Sequence, residues 1–421
     1  MTQHDNTNNV RHPALGRDFW KVWGSTAASG LSDTVAFVGT ALLAASLTRD
    51  ATLIAAVAVA GRTPWLLFSL HAGALVDRLD RRWILLAMNL LRVFVLASAS
   101  VAVYFGWMSI YLLMGCAFLL GTAEVLYENA AQSILPRVVP KEKLPLANSR
   151  LQLAQLLGGF AGPPLGGFLF AASAAVPFGL SSVGLAVSAI LVFLLARHYE
   201  TSQGAGQRTS INAAITEGLR WLARHPLLRG LAVMVAVINL MNMATGAVFV
   251  LFALEKLGLS QAEFGALLTF GTAGGLLGAL ASGYVLQHVS SRVALLLVVA
   301  LQALSYAIIA LFPIPWVVGS LFGLLSFTGV IWNIVTVSLR QMLVPDQLLG
   351  RVNSSYRLLA WGVNPFGAAL GGLVAHTYGL TGPYWLAAGG LGVVLAFGMV
   401  LLREPIPVTK TLNYGVPRSD Q

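Results

Sequence analysis

Twelve apolar runs follow one another along the chain, and each is long enough to cross about 30 Å of hydrocarbon, which takes about 20 mainly apolar residues. Their approximate limits are 19–46, 52–76, 83–106, 108–131, 147–172, 176–197, 228–254, 262–287, 293–312, 315–340, 351–376 and 382–402. A backbone surrounded by lipid must satisfy its own hydrogen bonds, so runs of this kind are helices and the expected fold class is all-α. Of 421 residues, 57% are apolar and 10% charged, where soluble domains carry roughly a quarter charged residues. That balance excludes a water-soluble enzyme, a disordered chain and a nucleic-acid reader. Cys116 stands alone, which excludes a disulfide framework and a cysteine-based metal site. The polar first 18 residues contain no apolar core, so no cleaved signal segment is expected.

The net charge of +10 is explained by where the basic residues fall. Positively charged loops stay in the cytoplasm. With the N-terminus inside, Arg49 and Lys256 are the outside cations, and Arg62 and Arg92 fall within spans. All other Lys and Arg, among them Arg340, Arg351 and Arg357, lie on the inside. Both termini are therefore expected in the cytoplasm, and the basic charge needs no nucleic acid.

The longest internal polar stretch, 198–225, reads as a cytoplasmic linker. It separates an N-terminal six-helix bundle (1–197) from a C-terminal one (226–403), with a cytoplasmic tail at 404–421. Aligning Pro140–Gly167 on Pro345–Gly372 pairs, among others, Asn148 with Asn353, Gly162 with Gly367, Gly166 with Gly371 and Gly167 with Gly372. The halves thus read as a parallel repeat, an architecture of secondary transporters whose substrate site lies between the halves near the bilayer midplane.

Two motifs sharpen this. The loop after the second span runs Gly73-Ala74-Leu75-Val76-Asp77-Arg78-Leu79-Asp80-Arg81-Arg82. A carboxylate and arginines at a helix end form a cluster whose pairing can differ between two conformations, as a gate requires. Span five contains Gly158-Gly159-Phe160-Ala161-Gly162-Pro163-Pro164-Leu165-Gly166-Gly167. Its glycines permit close helix approach, and Pro163 removes a helical donor and is expected to kink the span. The first motif resembles the G-x-L-x-D-R-x-G-R-[RK] signature of the major facilitator superfamily, with Asp80 where that pattern has glycine. The second resembles the G-x-x-x-G-P-x-x-G-G motif of its drug/proton exporters, at Gly158, Gly162, Pro163, Gly166 and Gly167. Ser29-Gly30-Leu31-Ser32-Asp33 and Leu135-Pro136-Arg137-Val138-Val139 are similar to the branch holding enterobactin exporters and macrolide-efflux proteins. The arginine that many of these exporters carry in span four is absent, Ala117 standing near its place. The resemblance implies twelve spans in two pseudo-symmetric bundles and export in exchange for protons. It further implies a central cavity lined by the first, fourth, seventh and tenth spans.

Charged groups inside a bilayer are costly, so each is a functional candidate. Five are expected within spans, all in the first half: Asp33, Arg62, Arg92, Glu124 and Glu128. Glu124 and Glu128, four residues apart, share one helical face. Two carboxylates so placed in a low dielectric do not both ionise readily, so one is expected to hold a proton. Asp33 is the expected proton-coupled carboxylate, with Glu124 or Glu128 second and Arg62 and Arg92 as partners; a static ion pair is the alternative. On this reading Asp33→Asn abolishes coupled transport and leaves the protein folded. The second half offers amides, Asn239, Asn242 and Asn333 on cavity spans and Gln302 and Asn364 elsewhere, for which interhelical hydrogen bonds are the expected role. Met241, Met243, Phe249, Trp332 and Trp361 fit either an adaptable apolar pocket or simple packing.

No metal-ligand spacing of histidines and no phosphate-loop pattern occurs, so neither a cofactor nor a bound metal is expected and the energy source is read as a proton gradient. The expectation is a monomeric, multi-pass protein of the plasma (inner) membrane, not an enzyme. It exports an amphiphilic small molecule, an antibiotic or a siderophore-like metabolite. Uptake, movement of a lysolipid-type lipid and a non-transporting receptor stay open as alternatives.

Overall fold

The computed structural model describes residues 15–140, 143–195 and 211–403. Its helices are α1 (Arg17–Leu47), α2 (Ala51–Arg78), α3 (Arg81–Tyr104), α4 (Ile110–Val138), α5 (Leu144–Ala172), α6 (Val176–Phe193), α7 (Ile211–Arg224), α8 (Pro226–Ala247), α9 (Phe249–Leu251), α10 (Gln261–His288), α11 (Ser291–Leu311), α12 (Pro315–Leu343), α13 (Asp346–Gly362), α14 (Asn364–Tyr378) and α15 (Gly382–Leu401). A π-helical turn, Phe252–Lys256, follows α9. Twelve segments are long and apolar enough to cross a membrane, α13 and α14 together forming the eleventh over Leu348–Tyr378. Each apolar run of the sequence has its helix. Twelve crossings put Arg17 and Arg403 on one side, here the terminal face; the opposite side is the far face.

Short polar caps set the helix ends. Asp80 accepts a hydrogen bond from the Arg82 amide at 2.9 Å, which makes it the N-cap of α3 and accounts for an aspartate where the superfamily pattern has glycine. Ser260 and Glu263 form a reciprocal capping box at the start of α10, a device worth about 1 kcal/mol.

Between helices in lipid, apolar contact supplies little drive, and close backbone approach and interhelical hydrogen bonds hold the bundle. The aligned glycines show how. On α5, a Cβ at Gly162 would overlap Thr34 and one at Gly166 would lie 3.0 Å from Val38 Cβ, so this face packs on α1. On α14, a Cβ at Gly367 or Gly371 would overlap the Leu240 and Ala244 carbonyls, so its face packs on α8. The next glycine in each copy faces the other half: Gly167 meets Gln261 and Gly265 of α10, and Gly372 meets Ala55 and Thr52 of α2. The sequence repeat is thus a repeat of contacts.

Pro163 lies inside an unbroken α5. Lacking an N–H, it leaves the Gly159 carbonyl without its helical donor. Thr272 Oγ1 of α10 donates to that oxygen at 3.0 Å, so the freed acceptor is satisfied across the joint between halves. The eleventh span does break, between α13 and α14, and there Asn239 Nδ2 of α8 donates to the Ala360 carbonyl at 2.8 Å.

Residues 198–210 of the polar stretch lie outside the described residues, and its remainder is mostly the helix α7. Leu222 is 2% exposed, Gly218 abuts the Arg351 backbone and Ser355, and Glu217 pairs with Arg351. The linker helix therefore rides on α13.

Candidate functional site

The intramembrane charges fall into two groups. In the first, Arg92 Nη1 donates to both oxygens of Asp33 at 2.9 and 3.0 Å. Arg92 Nη2 donates to Asn89 Oδ1 at 2.5 Å, Asn89 Nδ2 to Ser188 Oγ at 3.0 Å, and Ser188 and Ser25 share a hydrogen bond of 2.7 Å. The Arg92 guanidinium also lies 4.2 Å from the Tyr127 ring centroid. This polar seam ties α1, α3, α4 and α6 together. The Arg92 side chain is 3% exposed and that of Asp33 45% exposed, so Asp33 is the open end of a buried charge pair. Of the two arginines expected as partners, Arg92 is the one on Asp33, and with that guanidinium buried Asp33→Asn would strand a cation.

The second group lines a cavity of about 210 Å³ at mid-depth, between α2 and α4 of the first half and α13 and α14 of the second. Arg62 and Trp65 come from α2, Glu124 and Glu128 from α4, Arg357 and Trp361 from α13, and Asn364 from α14. Its wall is thus built by the second, fourth and eleventh spans, not by the first, fourth, seventh and tenth, and it does not include Asp33. Arg62 Nη1 is 3.9 Å from Glu124 Oε1, the side chains being 37% and 45% exposed, a loose pair worth about 1 kcal/mol or less. Trp65 and Trp361 meet edge to face across the halves, centroids 5.2 Å apart. Arg357 lies 5.1 Å from the Trp361 ring. The Trp65 N–H sits beside Glu124 without closing a well-formed hydrogen bond, and Asn364 Oδ1 is a buried acceptor with no donor.

Arg357 was not among the expected intramembrane charges, because the loop-charge rule assigns it to the surface. The second half also buries Arg340 on α12, 6% exposed, which stacks 3.8 Å from the Tyr356 ring and donates to Asn353 Oδ1 at 3.0 Å. The reading of that half as free of intramembrane charge is corrected accordingly. Of its amides, Asn239 and Asn242 make interhelical hydrogen bonds, the latter with Tyr306, and Gln302 donates to Thr328 Oγ1 at 3.2 Å. The Asn333 side chain is exposed on α12. Met241, Phe249 and Trp332 are packed in the core.

Of the loop motif, Gly73, Asp77 and Arg78 have side-chain environments outside the described residues. Arg81 opens α3, and Arg82 donates to the Phe193 carbonyl, tying α3 to the end of α6. Gly158 of the second motif packs on α1, where a Cβ would lie 2.9 Å from the Gly30 carbonyl carbon. Among the described residues no three His, Cys, Asp or Glu side chains are grouped to hold a metal ion.

At the far face two polar contacts cross between the halves: the ion pair of Arg49 with Glu255 at 2.9 Å, and His376 Nδ1 at 3.6 Å from Asp50 Oδ1. The Thr52 amide donates to Asp50 at 2.8 Å and holds its carboxyl below the ordinary carboxylate range. A depressed carboxyl stabilises the structure that depresses it at pH above its unshifted value and loses that contribution as pH falls through the shifted one, so the Asp50–Thr52 turn persists into mild acid and keeps Asp50 placed for the clasp. Together with Gly167 and Gly372 the clasp closes the far face, whereas a second cavity of about 430 Å³ opens between α1, α5 and α10 on the terminal side. Because Arg49 is 70% exposed, Arg49→Ala is expected to weaken far-face closure by about 1 kcal/mol or less, with the Arg49→Glu, Glu255→Arg swap restoring it. Double-mutant analysis of cysteine labelling at that face measures this coupling.

A family model described as transmembrane secretion effector matches residues 12–418. The chain belongs to this family. It is thus a membrane transporter of the major facilitator type, embedded as a multi-pass protein in the plasma (inner) membrane. It is 29% identical over 394 residues to the multidrug efflux pump Tap of Mycolicibacterium fortuitum, covering 89% of this chain and 92% of that one. It is 27% identical over 347 residues to the enterobactin exporter EntS of Salmonella typhi, covering 78% of each. Among solved structures it is similar to a bacterial homologue of the iron transporter ferroportin in an inward-facing state (TM-score 0.75, 16% identity, 93% of this chain and 100% of that one). It is also similar to the nucleoside transporter NupG (TM-score 0.71, 13% identity, 92% and 100%).

Proposed function

We propose that this protein exports amphiphilic small molecules, antibiotics or siderophore-like metabolites, in exchange for protons, by alternating access of the mid-depth cavity. The terminal face is then the cytoplasmic one, as the distribution of Lys and Arg supports. The observation that carries the reading is Glu124 and Glu128 in a cavity at the joint between halves, one loosely paired and the other without an ion-pair partner among the described residues. A proton on Glu124 removes its attraction to Arg62, and one on Glu128 removes a charge that closes no ion pair among the described residues. Either change alters the cost of closing the cavity. Protons and substrate that favour opposite states of one site exchange for each other. In this account Asp33 is the counter-charge of Arg92, and the carriers are Glu124 and Glu128. The kinship with Tap and EntS supports the direction of transport.

The test is dye and antibiotic efflux from a pump-deficient bacterium expressing the chain, with and without a protonophore. Efflux should be protonophore-sensitive, and Glu124→Gln with Glu128→Gln together should lower pH-driven efflux at least about tenfold, the usual scale for a lost proton-transfer group. Undiminished pH-driven efflux by the double variant overturns the assignment.

A further inference from the structure

Within the mid-depth cavity, Arg62 and Glu124 compensate one another. That leaves one anion and one cation on facing walls. Glu128 enters no ion pair or hydrogen bond among the described residues, and the recorded contact of the Arg357 guanidinium is with the Trp361 ring. The charges come from opposite halves, Glu128 from α4 and Arg357 from α13. Glu128 also feels Glu124, Asp33 and Arg92 and, across the cavity, Arg357; Glu124 is offset by Arg62 and Asp33 by Arg92, which leaves Arg357 as the charge facing Glu128 without a closed ion pair. Between the walls stand the two indoles, at an interplanar angle of 69°, with an unused donor on Trp65 and an unused acceptor on Asn364.

We propose that the cavity selects flat aromatic zwitterions, with an acidic group on Arg357, a basic group on Glu128 and the ring against Trp65 and Trp361. This rests on the reading of the cavity as the transported substrate's site. A simple cation satisfies Glu128 but leaves Arg357 unmatched and sits in its repulsive field. A simple anion does the converse. A zwitterion alone pairs both, and a desolvated charge left without a partner is what a binding site discriminates against most strongly. A volume of about 210 Å³ suits a fused-ring compound better than a long-chain lipid, and indole faces bind such rings over wide variation in substituents.

The experiment uses the purified full chain in lipid nanodiscs and equilibrium dialysis at neutral pH against three probes that share a fused 4-pyridone with a carboxyl or ester group at position 3. They are ciprofloxacin, a zwitterion; its methyl ester, a cation; and nalidixic acid, an anion. Ciprofloxacin should bind about tenfold more tightly than either of the others, the step expected for one unmatched charge. Arg357→Gln should erase its advantage over the ester, and Glu128→Gln its advantage over nalidixic acid. The swap Glu128→Arg with Arg357→Glu retains both signs and should restore the zwitterion preference. Equal binding of ester and zwitterion by the unaltered protein overturns the inference, as does a preference that survives Arg357→Gln. Neither ranking needs a flux or a gradient. If export is the wrong reading, efflux is absent while the selectivity remains; if this inference is wrong, the selectivity is absent while protonophore-sensitive efflux remains.

Discussion

Replacing Asp33 by asparagine is expected to destabilise the protein by about 2–3 kcal/mol, below the cost of breaking a wholly buried ion pair because Asp33 itself is 45% exposed. The guanidinium of Arg92 is 3% exposed. It is held by the two Asp33 oxygens, by Asn89 and by the face of Tyr127. Asparagine offers one acceptor and no charge, so the cation stays buried with only neutral partners. Adding Arg92→Gln to Asp33→Asn removes the stranded charge and should recover most of the loss, as neutral replacement of both partners of a buried pair often does. The readout is the fraction of detergent-purified protein that remains monodisperse after graded heating. A single variant as heat-resistant as the parent shows that the pair is not needed for folding. The double variant also separates roles: with Glu124 and Glu128 as proton carriers it should still drive efflux from a pH gradient, and its failure to do so while folded returns the coupling role to Asp33.

The sequence names Arg62 and Arg92 as partners for Asp33 but does not choose between them, and the reason follows from how the spans arise. Span number and limits depend on composition summed over some twenty residues, so each apolar run could be matched to a helix such as α3 or α11. The repeat was legible too, because glycines at fixed offsets serve backbone contacts that both halves need. Pairing depends instead on which spans become neighbours and how each is rotated about its axis. Asp33 meets Arg92 because α1 and α3 both pack on α6, an adjacency between non-consecutive helices that no local pattern encodes. Arg357 was hidden for another reason. The polar first turns of α13 read as loop, and a rule that counts loop charges removes from view an arginine that lines the cavity. One clue was available: Tyr356, Arg357 and Trp361 stand within a few residues, with Arg357 and Trp361 four apart, a spacing that puts guanidinium and indole on one helical face.

Two adjacent glycines of α14 should respond in opposite ways to the same substitution, and this is the strongest test of the architecture. A Cβ at Gly371 overlaps the backbone of Ala244 in α8, inside the second half. Gly371→Val must therefore push two backbones of one bundle apart, at more than about 3 kcal/mol, and should abolish accumulation of folded protein. A Cβ at Gly372 overlaps Ala55 and lies 3.1 Å from the Ala51 carbonyl and 3.3 Å from Thr52 Cα, all in the other half. Gly372→Val can relieve this by letting the far face part, a movement a transporter that alternates must make in any case. It should fold and shift the equilibrium towards a far face that is open. A cysteine at Ala51, 5% exposed, in a Cys116→Ser background, should then react several-fold faster with an impermeant maleimide. Gly166 and Gly167 repeat the distinction in α5: Gly166 faces Val35 and Val38 of its own half, and Gly167 faces Gln261 and Gly265 of the other. Equal damage from Gly371→Val and Gly372→Val would mean that the joint between halves is as fixed as the interior of each, and alternating access through this joint would be untenable.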